Sequence, residues 1–259
     1  MIYVNGQGVK QEHFSAGELK IKLNPSSRAT IDIIWHYEND AEFFTLACIR
    51  HYFASKPCVL YLPYLPHARM DRVKNPEDVF TLKTFASLIN SLVFERVYVW
   101  DAHSNVGPAL IDRCEDVTAQ NWIEEVIKTL GTDNLALFFP DEGAMKRYGT
   151  MFPNLPQAFG IKKRNWETQK IEGYMIVGED IIKDKRVLII DDICSYGNTF
   201  TTAAEALLTA GAKEVNLYIT HCEDAISKGN IFKDGRIKKV FTTTSLIRSN
   251  ETNAHLLTV

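Results

Sequence analysis

The feature that most constrains the fold is an alternation, repeated along most of the chain, of short apolar runs with longer amphipathic segments. The apolar runs are rich in β-branched and aromatic residues and are bounded by polar residues, which is typical of buried strands. They lie at 31–36, 58–64, 96–101, 134–139, 186–191, 214–220 and 239–244. Helical patterns lie between them, clearest at 80–94, where apolar residues recur at three- and four-residue spacing.

Strand followed by helix, repeated in this way, predicts parallel sheets flanked by helices. A length of 259 residues allows either one large domain or two smaller ones. The polar segment 114–121 separates two comparable groups of strands. We therefore predict an α/β fold with two domains, 1–118 and 119–259, each built on a mainly parallel sheet flanked by helices.

Composition excludes several classes of protein. A net charge of -3 argues against a broad basic surface for nucleic acid, because neutralising phosphates requires clustered Lys and Arg. No apolar run reaches the length that spans a bilayer, and the N-terminus lacks the pattern of a signal peptide, so no membrane association is expected. The five cysteines lack CxxC spacing, which favours a reducing cytoplasm over a zinc site or a disulfide framework.

Charged, polar or small residues follow four of the predicted strands. These segments are PYLPHARMDR (63–72), DAHSN (101–105), PDEGAMKR (140–147) and DDICSYGNT (191–199). Because parallel sheets bind their ligands beyond the carboxyl ends of the strands, we expect the four segments to contribute to one phosphate site.

The last of these segments has the residues that a sugar phosphate requires. A strand that leads through a turn into a helix directs free backbone N–H groups and the helix dipole at one point, which attracts phosphate. Gly197 permits close approach of the backbone, and Ser195 and Thr199 add hydroxyl donors. Asp191 and Asp192 are placed to accept hydrogen bonds from two vicinal sugar hydroxyls. The segment therefore predicts a site for a 5-phosphoribosyl group, rather than an acidic strand end with an ordinary capping turn.

This stretch resembles the phosphoribosyl-binding loop of the phosphoribosyltransferase fold. Two residues depart from the usual pattern: Tyr196 stands where a small hydroxyl residue is usual, and Asn198 where glycine is usual. The resemblance implies that 191–199 holds the ribose phosphate through the residues Asp191, Asp192, Ser195, Tyr196, Gly197, Asn198 and Thr199.

The other strand ends resemble those of one family, the ribose-phosphate pyrophosphokinases or phosphoribosyl pyrophosphate (PRPP) synthetases. FSAGELKIKL (14–23) is similar to their Phe-Ser-Asp-Gly-Glu segment, and the segments beginning at 63, 101 and 140 are similar to three more of their motifs. Each motif is weak alone, but the five occur in the family's order and extend from about residue 14 to residue 244. We expect two phosphoribosyltransferase-like domains.

The resemblance implies roles for single residues. Those expected to bind ATP are Phe14, Glu18, Arg69 and His103, with Phe14 and Glu18 supplied by a neighbouring subunit of a homo-oligomer, a dimer or hexamer. His103 and Asp141 are expected to bind Mg²⁺. Lys162 and Arg164 match the family's mobile Lys-x-Arg loop, which closes over the transferring phosphates.

Each of these residues also has an ordinary interpretation. His103 alone is more often a structural histidine, Asp141 a helix cap, Arg69 a partner of Asp71 or Glu77, and Phe14 a core residue. Lys162, Lys163 and Arg164, taken by themselves, are typical of a solvated basic run.

The implied reaction transfers the β,γ-pyrophosphoryl group of ATP to the C1 hydroxyl of a 5-phosphoribosyl acceptor and releases AMP. Asp191 and Asp192 are the candidates for a general base. Ribose 5-phosphate is the family's acceptor. Tyr196 also admits a larger acceptor such as ADP-ribose, because an aromatic ring stacks on additional substituents.

Two other functions stay open at this point. A phosphoribosyltransferase that consumes PRPP accounts for 191–199 but not for the ordered motifs on the ATP side. A catalytically silent partner of a synthetase accounts for Ala16 and Met70, which replace polar residues of the family's nucleotide site. Lys162, Arg164 and His103 argue against this second alternative.

Overall fold

A computed structural model of the protein describes residues 1–164, 171–247 and 253–258, with the backbone alone at 162–164 and 171–173. The chain divides into two compact units, Met1–Thr118 and Ala119–Val259. Across the described ranges, every helix is too short or too polar to cross a lipid bilayer.

Unit 1 contains a six-stranded sheet in the order β2-β1-β5-β6-β7-β8. Its strands are β1 (Ile2–Val4), β2 (Gln7–Gly8), β5 (Ile31–Trp35), β6 (Cys58–Leu62), β7 (Arg96–Trp100) and β8 (Cys114–Val117). The strands β5 to β8 are parallel, and β1 runs antiparallel to both β2 and β5. A separate antiparallel hairpin pairs β3 (Gln11–His13) with β4 (Leu19–Ile21). The helices are α1 (Glu42–Tyr52), α2 (Thr81–Ser91) and α3 (Val106–Leu110).

The core of unit 1 follows from the alternation of its strands. In β5 the buried residues are Ile31, Ile33 and Trp35, and β6 and β7 bury alternate residues in the same way. These side chains share one apolar cluster with buried residues of α1 and α2, such as Leu46 and Phe85. On the opposite face of the sheet Tyr61 and Tyr98 are only half-buried, and their rings stack with centroids 5.3 Å apart.

Unit 2 contains a seven-stranded sheet in the order β11-β10-β9-β12-β13-β14-β15. Its strands are β9 (Leu135–Phe139), β10 (Gln157–Arg164), β11 (Ile171–Val177), β12 (Arg186–Cys194), β13 (Glu214–Cys222), β14 (Val240–Thr243) and β15 (His255–Leu257). All neighbours are parallel except β10 and β11. The helices are α4 (Gln120–Leu130), α5 (Glu142–Tyr148), α6 (Glu179–Ile182) and α7 (Asn198–Thr209).

Helices cover both faces of the sheet in unit 2. Every residue of β9 is buried, and its side chains divide between two clusters. Ala136 and Phe138 pack in a core shared with α7, whereas Leu137 and its alternate neighbours pack with α4 and α5. A central strand buried on both faces requires the continuous apolar run that the sequence shows there. The predicted α/β class is confirmed.

Two segments of unit 2 differ from the sequence-based prediction. The predicted strand 186–191 continues to Cys194, because Ile193 and Cys194 go on pairing with His221 and Cys222 of β13. The segment 157–177, which contains the predicted Lys-x-Arg loop, forms the antiparallel pair β10 and β11 on either side of 165–170, which lie outside the described residues.

A buried carboxylate holds the start of α1 against the sheet of unit 1. Glu42 is only 3% exposed. Its Oε2 accepts hydrogen bonds from the Trp35 indole and the Glu38 backbone N–H, both at 2.8 Å, and its Oε1 lies 2.5 Å from the amino group of Met1. Burial raises the pKa of Glu42, but these donors outweigh burial and lower it below its ordinary value of 4.5.

We expect Glu42→Gln to lower the free energy of unfolding at pH 7 by about 1–3 kcal/mol, because a buried network loses its negative charge and one of its two acceptor oxygens. A depressed folded-state pKa stabilises the protein above the unfolded-state value and ceases to do so as pH falls through the folded-state value. The difference from wild type should therefore shrink below about pH 4.5. Denaturant titrations at several pH values measure it.

Glu38→Gln is the matched control. Glu38 is 3.4 Å from the same amino group but is 35% exposed, so its loss should cost less than about 1 kcal/mol. Equal losses for both variants, or a loss for Glu42→Gln that does not change with pH, would contradict the assignment.

Candidate functional site

Three neighbouring strands of unit 2 end at one edge of the sheet. The central strand β9 is parallel to β10 on one side and to β12 on the other, so their carboxyl ends point the same way. Asp141 follows β9 by two residues, and Asp191 and Asp192 lie near the end of β12. The backbone of Lys162 and Arg164 forms the end of β10, while their side chains lie outside the described part of the chain.

The carboxyl group of Asp191 is next to two other carboxylates. Burial of the group, followed by the charges of Asp192 and Asp141, raises its pKa well above the ordinary 3.8. The backbone N–H of Asp192 donates to Asp191 Oδ1 at 3.0 Å and opposes this effect in part. A bound cation would relieve the repulsion between these carboxylates.

The second carboxylate of the pair is held by an arginine that the sequence did not single out. Arg147 Nη1 lies 3.1 Å from Asp192 Oδ2, and the two side chains are only 20% and 6% exposed. Arg147 comes from the last turn of α5, which follows β9. The pair fixes the direction of the Asp192 carboxylate, and the motif PDEGAMKR was the signal that could have found it.

Asp141 has the ordinary role that its position allows. Its backbone is extended at the N-cap of α5, and its Oδ1 accepts a hydrogen bond from the Ala144 backbone N–H at 3.1 Å. Capping does not prevent metal binding, because a carboxylate has two oxygens and several lone pairs. The cap fixes where those oxygens lie.

The turn between β12 and α7 has the geometry of an anion site. Gly197 is the N-cap of α7 in the left-handed conformation, with φ of 85°. Since glycine has no side chain to cap the helix, the N–H groups of Asn198 and Thr199 are directed at the turn, while that of Phe200 donates to the Gly197 carbonyl at 3.0 Å. Ser195 and Thr199 are half-buried, Asn198 is exposed and Tyr196 is 54% exposed.

A second segment fixes the shape of this turn. A Cβ at Gly229 would lie 1.9 Å from the Tyr196 carbonyl oxygen, so only glycine permits this approach. A Cβ at Gly197 would lie 3.0 Å from the buried Ile231. The Glu223 backbone N–H also donates to the Cys194 carbonyl at 2.8 Å. These contacts fix the shape of the turn in the ligand-free chain.

A buried polar network supports the neighbouring strand ends. His221 Nδ1 lies 2.8 Å from Ser245 Oγ, and the Thr243 hydroxyl donates to the Thr220 carbonyl at 2.6 Å. These side chains tie β13 to the segment after β14. Sequence reasoning missed them, because a single His or Ser in an apolar context gives no signal.

In unit 1, the loop that carries Arg69 lies close to the turn that carries His103. Asp71 connects them, because its carboxylate accepts hydrogen bonds from Arg72 of its own loop, at 2.8 Å from Nε to Oδ1, and from Ser104 of the other segment. Burial raises the pKa of Asp71, but the hydrogen bonds from Arg72 and Ser104 and the charge of His103 lower it overall. Both segments follow parallel strands, β6 and β7, at the same edge.

Phe14 and Glu18 lie at the turn of the β3 and β4 hairpin. Phe14 N–H donates to the Glu18 carbonyl at 2.9 Å, and Gly17 closes the turn with φ of 88°. The Phe14 side chain is 56% exposed. The interpretation of Phe14 as a core residue is therefore wrong.

The residues of unit 2 fit a Mg²⁺ ion bound partly by substrate. Mg²⁺ usually takes one or two protein carboxylates and keeps waters or phosphates as its other ligands. Asp141, Asp191 and Asp192 supply carboxylate oxygens close to one another. Within the described residues, no group of three or more His, Cys, Asp or Glu side chains is arranged to hold a metal alone.

Comparison with known proteins agrees with this geometry. Residues 120–253 match the phosphoribosyl transferase domain family. A ribose-phosphate pyrophosphokinase of Maricaulis maris is 28% identical over 247 residues, covering 91% of this chain and 78% of the relative. That of Aquifex aeolicus is 29% identical over 243 residues, covering 90% and 77%.

Among solved structures, the chain is similar to a phosphoribosylpyrophosphate synthetase from Mycobacterium smegmatis. The TM-score is 0.79 at 20% identity, and the match covers 97% of this chain and 86% of that one. At this identity, the similarity shows the fold.

The crowding of carboxylates yields a prediction about stability. A raised folded-state pKa means that Asp191 destabilises the folded protein increasingly as pH rises from about 4 through that value. Without divalent cations, Asp191→Asn should therefore add about 1 kcal/mol at pH 7, roughly 2–4 °C in melting temperature. The gain should disappear towards pH 4, and thermal melts across this range measure it.

Asp192→Asn is the matched control of opposite sign. It removes the carboxylate that pairs with the half-buried Arg147, which should lower stability by about 1–3 kcal/mol. A destabilised Asp191→Asn protein, or two variants that shift the melting temperature alike, would contradict the electrostatic account.

Proposed function

We propose a function on the premise that the chain belongs to the phosphoribosyl transferase domain family and, within it, to the ribose-phosphate pyrophosphokinases. The protein transfers the β,γ-pyrophosphoryl group of ATP to the C1 hydroxyl of a 5-phosphoribosyl acceptor. AMP is the second product. The observation that carries the proposal is the edge of unit 2, where three carboxylates and a glycine-capped helix N-terminus lie at the carboxyl ends of adjacent parallel strands.

The acceptor is held by its two ends. Its 5-phosphate binds the N–H groups and hydroxyls of the turn 195–199, whose shape Gly197 and Gly229 fix in advance. Its vicinal hydroxyls donate to Asp191 and Asp192. Because the Arg147 pair already orients Asp192, little ordering remains to be done on binding.

The transfer itself asks for alignment and charge neutralisation more than for covalent chemistry. Lys162 and Arg164 neutralise charge on the transferring phosphates. Asp141 would contribute an oxygen ligand to Mg²⁺ in unit 2, and the family resemblance assigns Mg²⁺ binding to His103 of unit 1 as well. Bound Mg²⁺ would neutralise further charge on the triphosphate. Asp191 and Asp192 are the two candidates for the general base, and burial and its neighbours raise the pKa of Asp191.

The nucleotide is bound by residues of unit 1 that the family resemblance assigns, Phe14, Glu18, Arg69 and His103. The exposed ring of Phe14, at the tip of a hairpin, suits insertion into a neighbouring subunit. We propose a homo-oligomer, a dimer or hexamer. An active enzyme that is monomeric by light scattering would refute it.

The five cysteines are free thiols in the structure. This supports the proposal that the enzyme works in a reducing cytoplasm. Disulfides in protein purified from cells without added oxidant would count against it.

Two acceptors remain candidates. Ribose 5-phosphate fills the site as described, and its pyrophosphorylation yields PRPP. The side chain of Tyr196, 54% exposed beside the phosphate turn, favours a second candidate, ADP-ribose, in which a substituent on the 5-phosphate carries an aromatic base that the ring can stack on.

An assay of AMP release from ATP with each acceptor tests the function directly. If ADP-ribose is used, Tyr196→Ala should raise its KM about tenfold, the effect expected for loss of one stacking contact. The KM for ribose 5-phosphate should stay within about twofold of the wild-type value, because it lacks the base.

Three results would go against this reading. An unchanged KM for ADP-ribose in the variant would remove Tyr196 from acceptor choice. Consumption of PRPP that depends on a nucleobase, without AMP release, would indicate a phosphoribosyltransferase. Neither activity would indicate a silent partner of a synthetase.

Lys162→Ala should lower turnover on the order of a hundredfold, because a donor that stabilises transition-state charge is lost. The melting temperature should change little, since the residue lies at the end of β10. Lys163→Ala is the matched control, with the same charge removed one residue along the strand, and should retain wild-type turnover. Unchanged turnover for Lys162→Ala would exclude this residue from the mechanism.

A further inference from the structure

A tyrosine on β11 links two parts of the candidate site in unit 2. Tyr174 lies opposite Lys162 in the register of β10 and β11. Its ring packs against Phe138 of β9, with centroids 6.3 Å apart. Its hydroxyl donates a hydrogen bond to the carbonyl of Pro140, the residue before Asp141. The side chain therefore crosses from β11, over β10, to the turn that follows β9.

The strand between them makes room for this ring. A Cβ at Gly160 of β10 would lie 2.0 Å from Tyr174 Cε1 and 3.0 Å from Phe138 Cζ. Any larger residue at 160 would therefore displace the ring. The close fit leaves the hydroxyl directed at one acceptor.

The chemistry of the pair suits a permanent tether. Burial, together with the charges of Asp141 and Asp191, raises the pKa of Tyr174. The phenol is therefore a protonated donor throughout the neutral range. Its acceptor precedes the N-cap of α5, whose Asp141 side chain is bound to Ala144. A shift of the hairpin would be transmitted to that cap.

We propose that Tyr174 is a positioning residue that couples the hairpin of β10 and β11 to the Asp141 turn. The backbone of Lys162 and Arg164 lies in β10 of the hairpin, and the turn carries the carboxylate assigned to Mg²⁺. The tether therefore fixes the strand that bears the two basic residues relative to the Asp141 turn. The catalytic consequence of this inference rests on the proposed function, whereas the existence of the tether is independent of that function.

Tyr174→Phe removes the hydroxyl and keeps the ring. In the ligand-free protein, backbone amides of Gln157–Arg164 and Ile171–Val177 should exchange hydrogen about fivefold faster, the effect of losing one net hydrogen bond. In the assay, kcat should fall about tenfold and the Mg²⁺ concentration for half-activation should rise several-fold. The KM for the acceptor should be unchanged, because the phosphate turn is untouched.

Tyr218→Phe is the matched control. Tyr218 is fully buried in β13, and its hydroxyl accepts a hydrogen bond from the Thr220 hydroxyl at 3.2 Å. Loss of the Tyr218 hydroxyl should lower the melting temperature about as much as loss of the Tyr174 hydroxyl does. Exchange in the hairpin and the Mg²⁺ dependence should match those of the wild type.

The outcomes separate the tether from the proposed function. Unchanged hairpin exchange in Tyr174→Phe, or equal acceleration in Tyr218→Phe, would overturn the tether. Faster exchange without any change in kcat or Mg²⁺ dependence would overturn its catalytic role. A wild-type protein that releases no AMP would refute the proposed function, and the exchange measurement would still decide whether the tether exists.

Discussion

The candidate site depends on the parallel pairing of β9 with a strand on each side. Leu137 of β9 is in register with Gln157 of β10 and with Leu188 of β12. This pairing brings the ends of three strands, separated by dozens of residues in the chain, to one edge of the sheet. The apolar side chains of β9 hold it between two cores. The strands are apolar and buried, and the polar residues lie where the strands end.

That edge is costly to fold. Three carboxylates converge there, and one of them has a raised pKa because its group is buried beside the others. The Arg147 pair and the hydrogen bond that Asp141 accepts as a helix cap offset part of this repulsion. A protein selected for stability alone would not keep this arrangement. A magnesium-bound triphosphate and the hydroxyl donors of a sugar would stabilise these carboxylates in the proposed complex. The repulsion therefore links the stability of the fold to its proposed chemistry.

The sequence predicted the fold class and the centres of seven of the described strands, β5, β6, β7, β9, β12, β13 and β14, because continuous apolar runs of five residues have few other solutions. It did not predict β8, Cys114–Val117, which lies in the polar segment expected to separate the domains. It placed the end of β12 too early, since Asp191 and Asp192 interrupt the apolar run while backbone pairing with β13 continues. The ion pair of Arg147 with Asp192 joins residues 45 positions apart and required the structure. Tyr174 was missed because its role arises from Gly160 and Pro140 on other segments. The site residues taken from family motifs remain predictions.

The most direct test of the central claim follows the middle phosphorus of ATP. With ATP labelled at its β-phosphorus and a 5-phosphoribosyl acceptor, pyrophosphoryl transfer predicts that the label moves to the acceptor while unlabelled AMP is released. If the label stays in ADP and the acceptor gains one phosphoryl group, only the γ-phosphoryl group of ATP is transferred. That result would contradict the account.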